Sequence, residues 1–178
     1  MKRILFLIFL VFSFGVYSQT FSEADKKEIL KQFSELQKAV KKRDAAAISN
    51  YISYPLKDGN TNEIKWRNSS DLSKDLKNKN LNIFNYVDEL KVDYTTNSII
   101  NIEDRVLRKG GDYGDELLSV TGSFLDTDDL DGTIYSGLKK PHFVVVVSEY
   151  DEMTEGGTYY LFSFNNKQLK LVSFFQLP

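Results

Sequence analysis

Three apolar runs close the chain: PHFVVVVSEY at 141–150, TYYLFSF at 158–164 and QLKLVSFF at 168–175. They are short, rich in Val, Phe and Tyr, and bounded by turn-forming residues, which is the pattern of strands. Gly156-Gly157 and Asn165-Asn166 stand between the runs as two-residue hairpin signals. The last three strands are therefore expected to form an antiparallel meander. Phe143–Val147 has no polar position on either face, as a central strand covered on both sides would read. ELLSVTGSFL, preceded by the Gly-rich RKGGDYGD turn, is a further strand candidate, and VDYTTNSIINI and EDRVLRK read as extended pieces. A sheet this apolar cannot exist bare, so the rest of the chain must supply its cover.

The cover is legible upstream. SEADKKEILKQFSELQKAVKKR places Ile29, Leu30, Phe33, Leu36 and Val40 at helical spacing. Ser22 can cap this helix, with Asp25 three residues on in a capping-box-like pattern. Lys41, Lys42 and Arg43 fall at its end, where the helix dipole favours cations, and read as a solvated terminus. Asp44 can cap a second, shorter helix, AAAISNYI, that ends before Tyr54-Pro55. YPLKDGNTNEIKW then reads as two short extended pieces around an Asp58-Gly59-Asn60 turn. Ser69 or Ser70 can cap a third helical stretch. Its apolar positions Leu72, Leu76, Ile83, Phe84, Val87 and Leu90 keep a helical period, with a break at Asn78–Asn80. Helices followed by a run of strands predict an α+β layer structure, with the N-terminal helices packed on one face of a curved, mainly antiparallel sheet.

This element order, and the stretch AAISNYISYPLK followed by a capped helix and NIFNYV, resembles the NTF2-like (cystatin-like α+β cone) superfamily. The likeness is to its small exported domains, in which a helix ends at a YPL-type hairpin. The resemblance implies a curved sheet wrapping a concave pocket. It implies no particular reaction, because that fold hosts enzymes, ligand binders and protein-recognition modules.

The N-terminus reads as a targeting segment. Lys2 and Arg3 precede an apolar run from Ile4 to Val16, and Val16 and Ser18 suit the −3 and −1 positions of a signal peptidase site. Cleavage after Ser18 leaves a single domain, 19–178, and a periplasmic or secreted product. The apolar run falls short of the ~20 residues a membrane span needs, so no membrane attachment is expected after cleavage. The chain has no cysteine, which removes disulfides, thiolate nucleophiles and Cys-ligated zinc from consideration. Stability must come from packing, for which 13 Phe and 10 Tyr supply apolar area. A formal net charge of −2 gives no drive toward nucleic acid or anionic lipid.

Residues 124–132, FLDTDDLDG, carry the densest acidic cluster. With Gly132 at position 6 of an EF-hand loop, Thr127 falls at position 1 and Leu138 at position 12. The first ligand and the bidentate last ligand are both wrong. A looser calcium site on Asp126, Asp128 or Asp129, and Asp131 is the residual metal reading; the plain one is a solvated connection with an Asp131-Gly132 turn. His142, the only histidine, follows Pro141 at the mouth of a strand. Zinc would have only that His and carboxylates, and no phosphate loop, nucleophile elbow or HExxH motif occurs. No cofactor is expected. The concave-face candidates for ligand binding are Tyr51, Tyr54, Trp66, Tyr86 and His142. The first functional reading is an exported, non-catalytic domain that binds a small apolar ligand or a protein partner through its concave sheet face. The alternative is a small-molecule enzyme of isomerase, dehydratase or hydrolase type, with an acid or base in the cone interior. A pocket filled by the protein's own Phe and Tyr side chains would leave protein recognition.

Overall fold

The computed structural model describes residues 20–78, 82–111, 113–126, 140–151 and 155–177. The expected leader, 1–18, and most of the acidic stretch, including Asp128, Asp129 and Asp131, lie outside the described residues.

Helix α1, Glu23–Lys42, starts where the sequence expects it: the Ser22 hydroxyl accepts from the Asp25 N–H at 3.1 Å. It ends at Arg43 in the left-handed region, φ 54°. Its buried stripe is Ile29, Leu30, Phe33, Leu36, Ala39 and Val40. Full burial of a large apolar side chain stabilises by about 1.5–3 kcal/mol. Helix α2 is shorter than its sequence pattern, Ala45–Ser49, because Ile52 already begins strand β1, Ile52–Asp58. Strand β2, Ile64–Trp66, completes the expected hairpin, pairing Leu56 with Trp66.

Helix α3, Ser69–Lys77, is capped by Asn68 rather than by Ser69 or Ser70. The Asn68 side chain accepts from the Ser70 N–H at 2.9 Å, and its backbone is extended, as an N-cap requires. The helical period beyond it is carried by two 3₁₀ turns, Asn82–Phe84 and Val87–Glu89, which still bury Ile83, Phe84, Val87 and Leu90.

The strands follow as β3 (Lys91–Asp93), β4 (Ser98–Ile100), β5 (Ile102–Gly111), β6 (Gly114–Leu125), β7 (His142–Tyr150), β8 (Glu155–Asn165) and β9 (Gln168–Leu177). Strands β3 and β4 form a separate small ladder, while the main sheet has the order β2-β1-β9-β8-β7-β6-β5. All its pairings are antiparallel except β1 with β9. The expected α+β class and the meander both hold. Two turn positions do not. Gly156 and Gly157 are inside β8, opposite Glu149 and Ser148, so that connection comes earlier. The last hairpin turns on Asn166 and Lys167, φ 51° and 61°, with Asn165 paired to Gln168. Two consecutive positive φ values match the strand twist, and Asn is the residue that tolerates them.

Strand β7 is central and covered on both faces, with Phe143, Val144 and Val145 at most 1% exposed. Helix α1 lies over the face bearing Phe143, Val145 and Val147. Phe33 meets Phe143 edge-on at 5.1 Å and Phe162 at 5.7 Å. Gly122 of β6 admits Leu90 to the same face: a Cβ there would stand 2.8 Å from the Leu90 side chain. Among the described residues no helix is long and apolar enough to cross a membrane.

Candidate functional site

Among the described residues, aromatic rings fill much of the concave face. Beyond the Phe33 cluster, Trp66 meets Phe84 at 6.1 Å, and Phe84 stacks on Tyr160 at 6.1 Å with planes 14° apart. All three rings are at most 2% exposed. At the far end Phe21 closes on Phe124 and Phe164. The interior that the cone resemblance implies as a pocket is occupied by the chain's own aromatic rings.

Open space begins at one end of the strands. There a cleft of about 550 Å³ is lined by Asp58, Glu63, Ile64, Lys65, Ile83, Phe174 and Gln176. Local chemistry fixes its walls. Asp58 accepts from the Asn60 N–H at 2.8 Å, the side-chain turn expected of Asp-Gly-Asn. The Gly59 N–H donates to the Phe174 carbonyl at 2.7 Å, pinning the hairpin tip to β9. A Cβ on Gly59 would fall 2.1 Å from the Phe175 ring, so only glycine lets the tip approach this closely. On the second wall Lys65 faces Asp75 at 3.9 Å, and Asp75 also accepts from the Trp66 indole N–H at 2.8 Å.

The same end of the sheet continues along the concave face to Glu149 and Glu116. Glu149 sits opposite Leu118, a core residue, so it shares the inward face. Burial, and then the Glu116 charge, push the Glu149 carboxyl above its ordinary range. Tyr86 stands near both, its phenol pushed up first by burial and then by their charges. Arg105 does not relieve Glu149; it is paired with Glu89 at 2.8 Å.

The five candidate residues do not gather into one site. Trp66 is fully buried with its N–H satisfied, so it presents no surface to a ligand. Tyr54 is half-buried on β1 with its hydroxyl 3.0 Å from Ser49 Oγ. Tyr51 donates to Glu35 Oε2 at 2.9 Å, and burial with that carboxylate pushes its phenol up to about 12. Tyr51 and His142 lie at the opposite strand ends from the cleft, since Tyr51 precedes β1 and His142 starts β7. Only Tyr86 is at the open end. His142 alternates with Phe143 and so points to the other face of the sheet. Its Nδ1–H donates to the Lys140 carbonyl at 2.6 Å, which places the lone pair on Nε2.

Burial lowers the His142 pKa from its ordinary 6.5, with the Lys140 hydrogen bond opposing. The folded state therefore prefers the neutral ring. Its contribution to stability is full above pH 6.5 and is lost as pH falls from there toward the folded pKa. NMR should show this imidazole titrating below 6.5. The decline in melting temperature on acidification from that pH should be shallower in His142→Gln.

Asp58, Glu63, Gln176, Glu116 and Glu149 are not marked as site residues by any sequence motif. Glu149 has a signal, since it is in phase with Phe143, Val145 and Val147 at the strand period. The other four have none, because their convergence depends on how distant strands pair. No family model, no curated protein and no solved structure matches this chain.

Proposed function

We propose that this is an exported, non-catalytic recognition domain of NTF2-like architecture that binds a protein partner at the open end of its concave face. The observation that carries the reading is the Trp66–Phe84–Tyr160 stack, which takes up the volume a small apolar ligand would need. Among the described residues a polar-rimmed cleft stays open beside a sheet edge, suited to a chain segment rather than to an enclosed molecule. The order of helices, hairpin, helix and meander supports the NTF2-like assignment, and the leader pattern at Lys2–Ser18 supports export. One observation favours the enzyme alternative: Glu149, raised by burial and by Glu116, has the electrostatics of a general acid. It is not among the residues lining the cleft.

Native mass spectrometry of the protein purified from the cells that make it separates these readings. The expected species are the polypeptide alone or joined to a second protein. A stoichiometric small molecule would overturn the proposal and favour the enzyme or ligand-carrier readings. A photoreactive side chain at Ile64, on the cleft rim and 45% exposed, should then cross-link to that second protein. The same group at Tyr94, 39% exposed in the β3–β4 turn, whose Asn97 reaches Glu23 at the start of α1 away from the cleft, should not.

A further inference from the structure

We propose that the cleft at the open end is a cation subsite, taking the side chain of a lysine or arginine carried on an extended segment of the partner. This inference rests on the reading of that end as the recognition surface and adds the chemistry of what enters it.

Three independent features converge there. The first is unmatched charge. Asp58 and Glu63 both line the cleft, and neither has an ion-pair partner among the described residues. The one cation on the described wall, Lys65, already faces Asp75. The cleft therefore carries two carboxylates in excess; Asp58 is half-buried and Glu63 exposed, so an incoming cation gains most beside Asp58. The second is the floor. Phe174, Ile83 and Ile64 supply apolar surface beside the carboxylates. That suits a side chain with a methylene stem and a charged tip, and suits neither a bare metal ion nor a small anion. The Gln176 amide adds a carbonyl acceptor to the lining.

The third is the sheet edge. Strand β2 is the last strand on this side, so its outer backbone groups have no strand partner among the described residues. Two of its three residues, Ile64 and Lys65, also line the cleft. An extended segment laid along β2 would gain main-chain hydrogen bonds, and its alternate side chains would point toward or away from the cleft. At about 550 Å³ the space accommodates one long side chain with part of its backbone. The opposite edge offers no equivalent. Strand β5 is longer, but its pairing with β6 shifts register in three places against one between β1 and β2, and five of its ten residues are charged, with both signs present, against the single Lys65 of β2; these features disfavour strand addition there.

The test is a titration of the isotope-labelled protein, followed by amide shifts, with acetyl-Val-Lys-Val-amide and with the same peptide carrying norleucine in place of lysine. The lysine peptide should move the amides of Ile64, Lys65 and Gln176 saturably. It should bind about fivefold tighter than the norleucine peptide, the scale of one or two partly exposed ion pairs. In Asp58→Asn/Glu63→Gln the two peptides should bind alike. The first of these substitutions keeps a side-chain carbonyl to accept from the Asn60 N–H, so the turn is retained. Equal binding of both peptides to the wild-type protein at the cleft would overturn the cation subsite while leaving partner recognition there intact. A lysine preference that survives the double substitution, or shifts confined to other regions or absent, would also overturn it. The recognition reading itself stands or falls separately, on the Ile64 cross-link.

Discussion

Phe84→Ala should lower stability by about 3–5 kcal/mol, the usual cost of removing a buried ring, and lower the melting temperature by roughly 6–20 °C for a domain of this size. Phe84 sits between Trp66 and Tyr160 and is 2% exposed, so neither neighbour can collapse into the space without leaving its own contacts. The variant should also acquire a property that the wild-type protein lacks. The vacated volume lies between Trp66 and Tyr160, and an apolar cavity of this kind stays dry and accepts small aromatic molecules. Saturating toluene should therefore raise the melting temperature of Phe84→Ala by several degrees and leave the wild-type value unchanged. A wild-type protein that responds equally would mean that a ligand space already exists beneath the curved sheet, and recognition of a protein segment would lose its main support. Phe84→Leu, which refills most of the volume, should recover most of the stability and lose the toluene response.

The stack that this variant disrupts shows how far the sequence is legible and where legibility stops. The helical period of Leu72, Leu76, Ile83, Phe84, Val87 and Leu90 identifies residues that are in fact buried, even though the backbone changes from α-helix to 3₁₀ turns among them. Periodicity reports burial, and burial survives the change in backbone. Trp66 and Tyr160 are equally apparent as apolar residues, but their meeting through Phe84 is not a local property. It depends on β9 lying parallel to β1, a pairing between segments more than a hundred residues apart. The turns differ from their sequence signals by small steps for a similar reason. Gly156-Gly157 has the composition of a hairpin loop, and register with β7 instead places it in the ladder. The cleft is the least legible feature. Asp58 reads as a turn residue, which it is, and nothing within its own hairpin indicates that Gln176 and Phe174 stand opposite.

The helical layer invites a second large effect, of a different kind. Phe33→Ala should also cost about 3–5 kcal/mol, but with no gain of ligand binding and with consequences across the whole domain. Phe33 is the point at which α1 meets the centre of the sheet, edge-on to both Phe143 and Phe162, and it is fully buried. Its loss removes the two ring contacts as well as the burial, and such contacts add about 0.5–1.5 kcal/mol per pair. A domain with an ordinary total stability of about 5–15 kcal/mol has little margin for a loss of this size. Hydrogen exchange distinguishes the two variants. In Phe33→Ala, protection should fall together in α1, β7 and β8, because the contact joins layers that otherwise unfold as one. In Phe84→Ala the fall should be largest in the 3₁₀ turns and the β1–β2 hairpin, next to the open end. If both variants lost protection uniformly, the open end would be as rigidly coupled to the core as the helix is. Partner binding there would then have to proceed without local adjustment, and the cross-linking and peptide shifts would report a preformed surface.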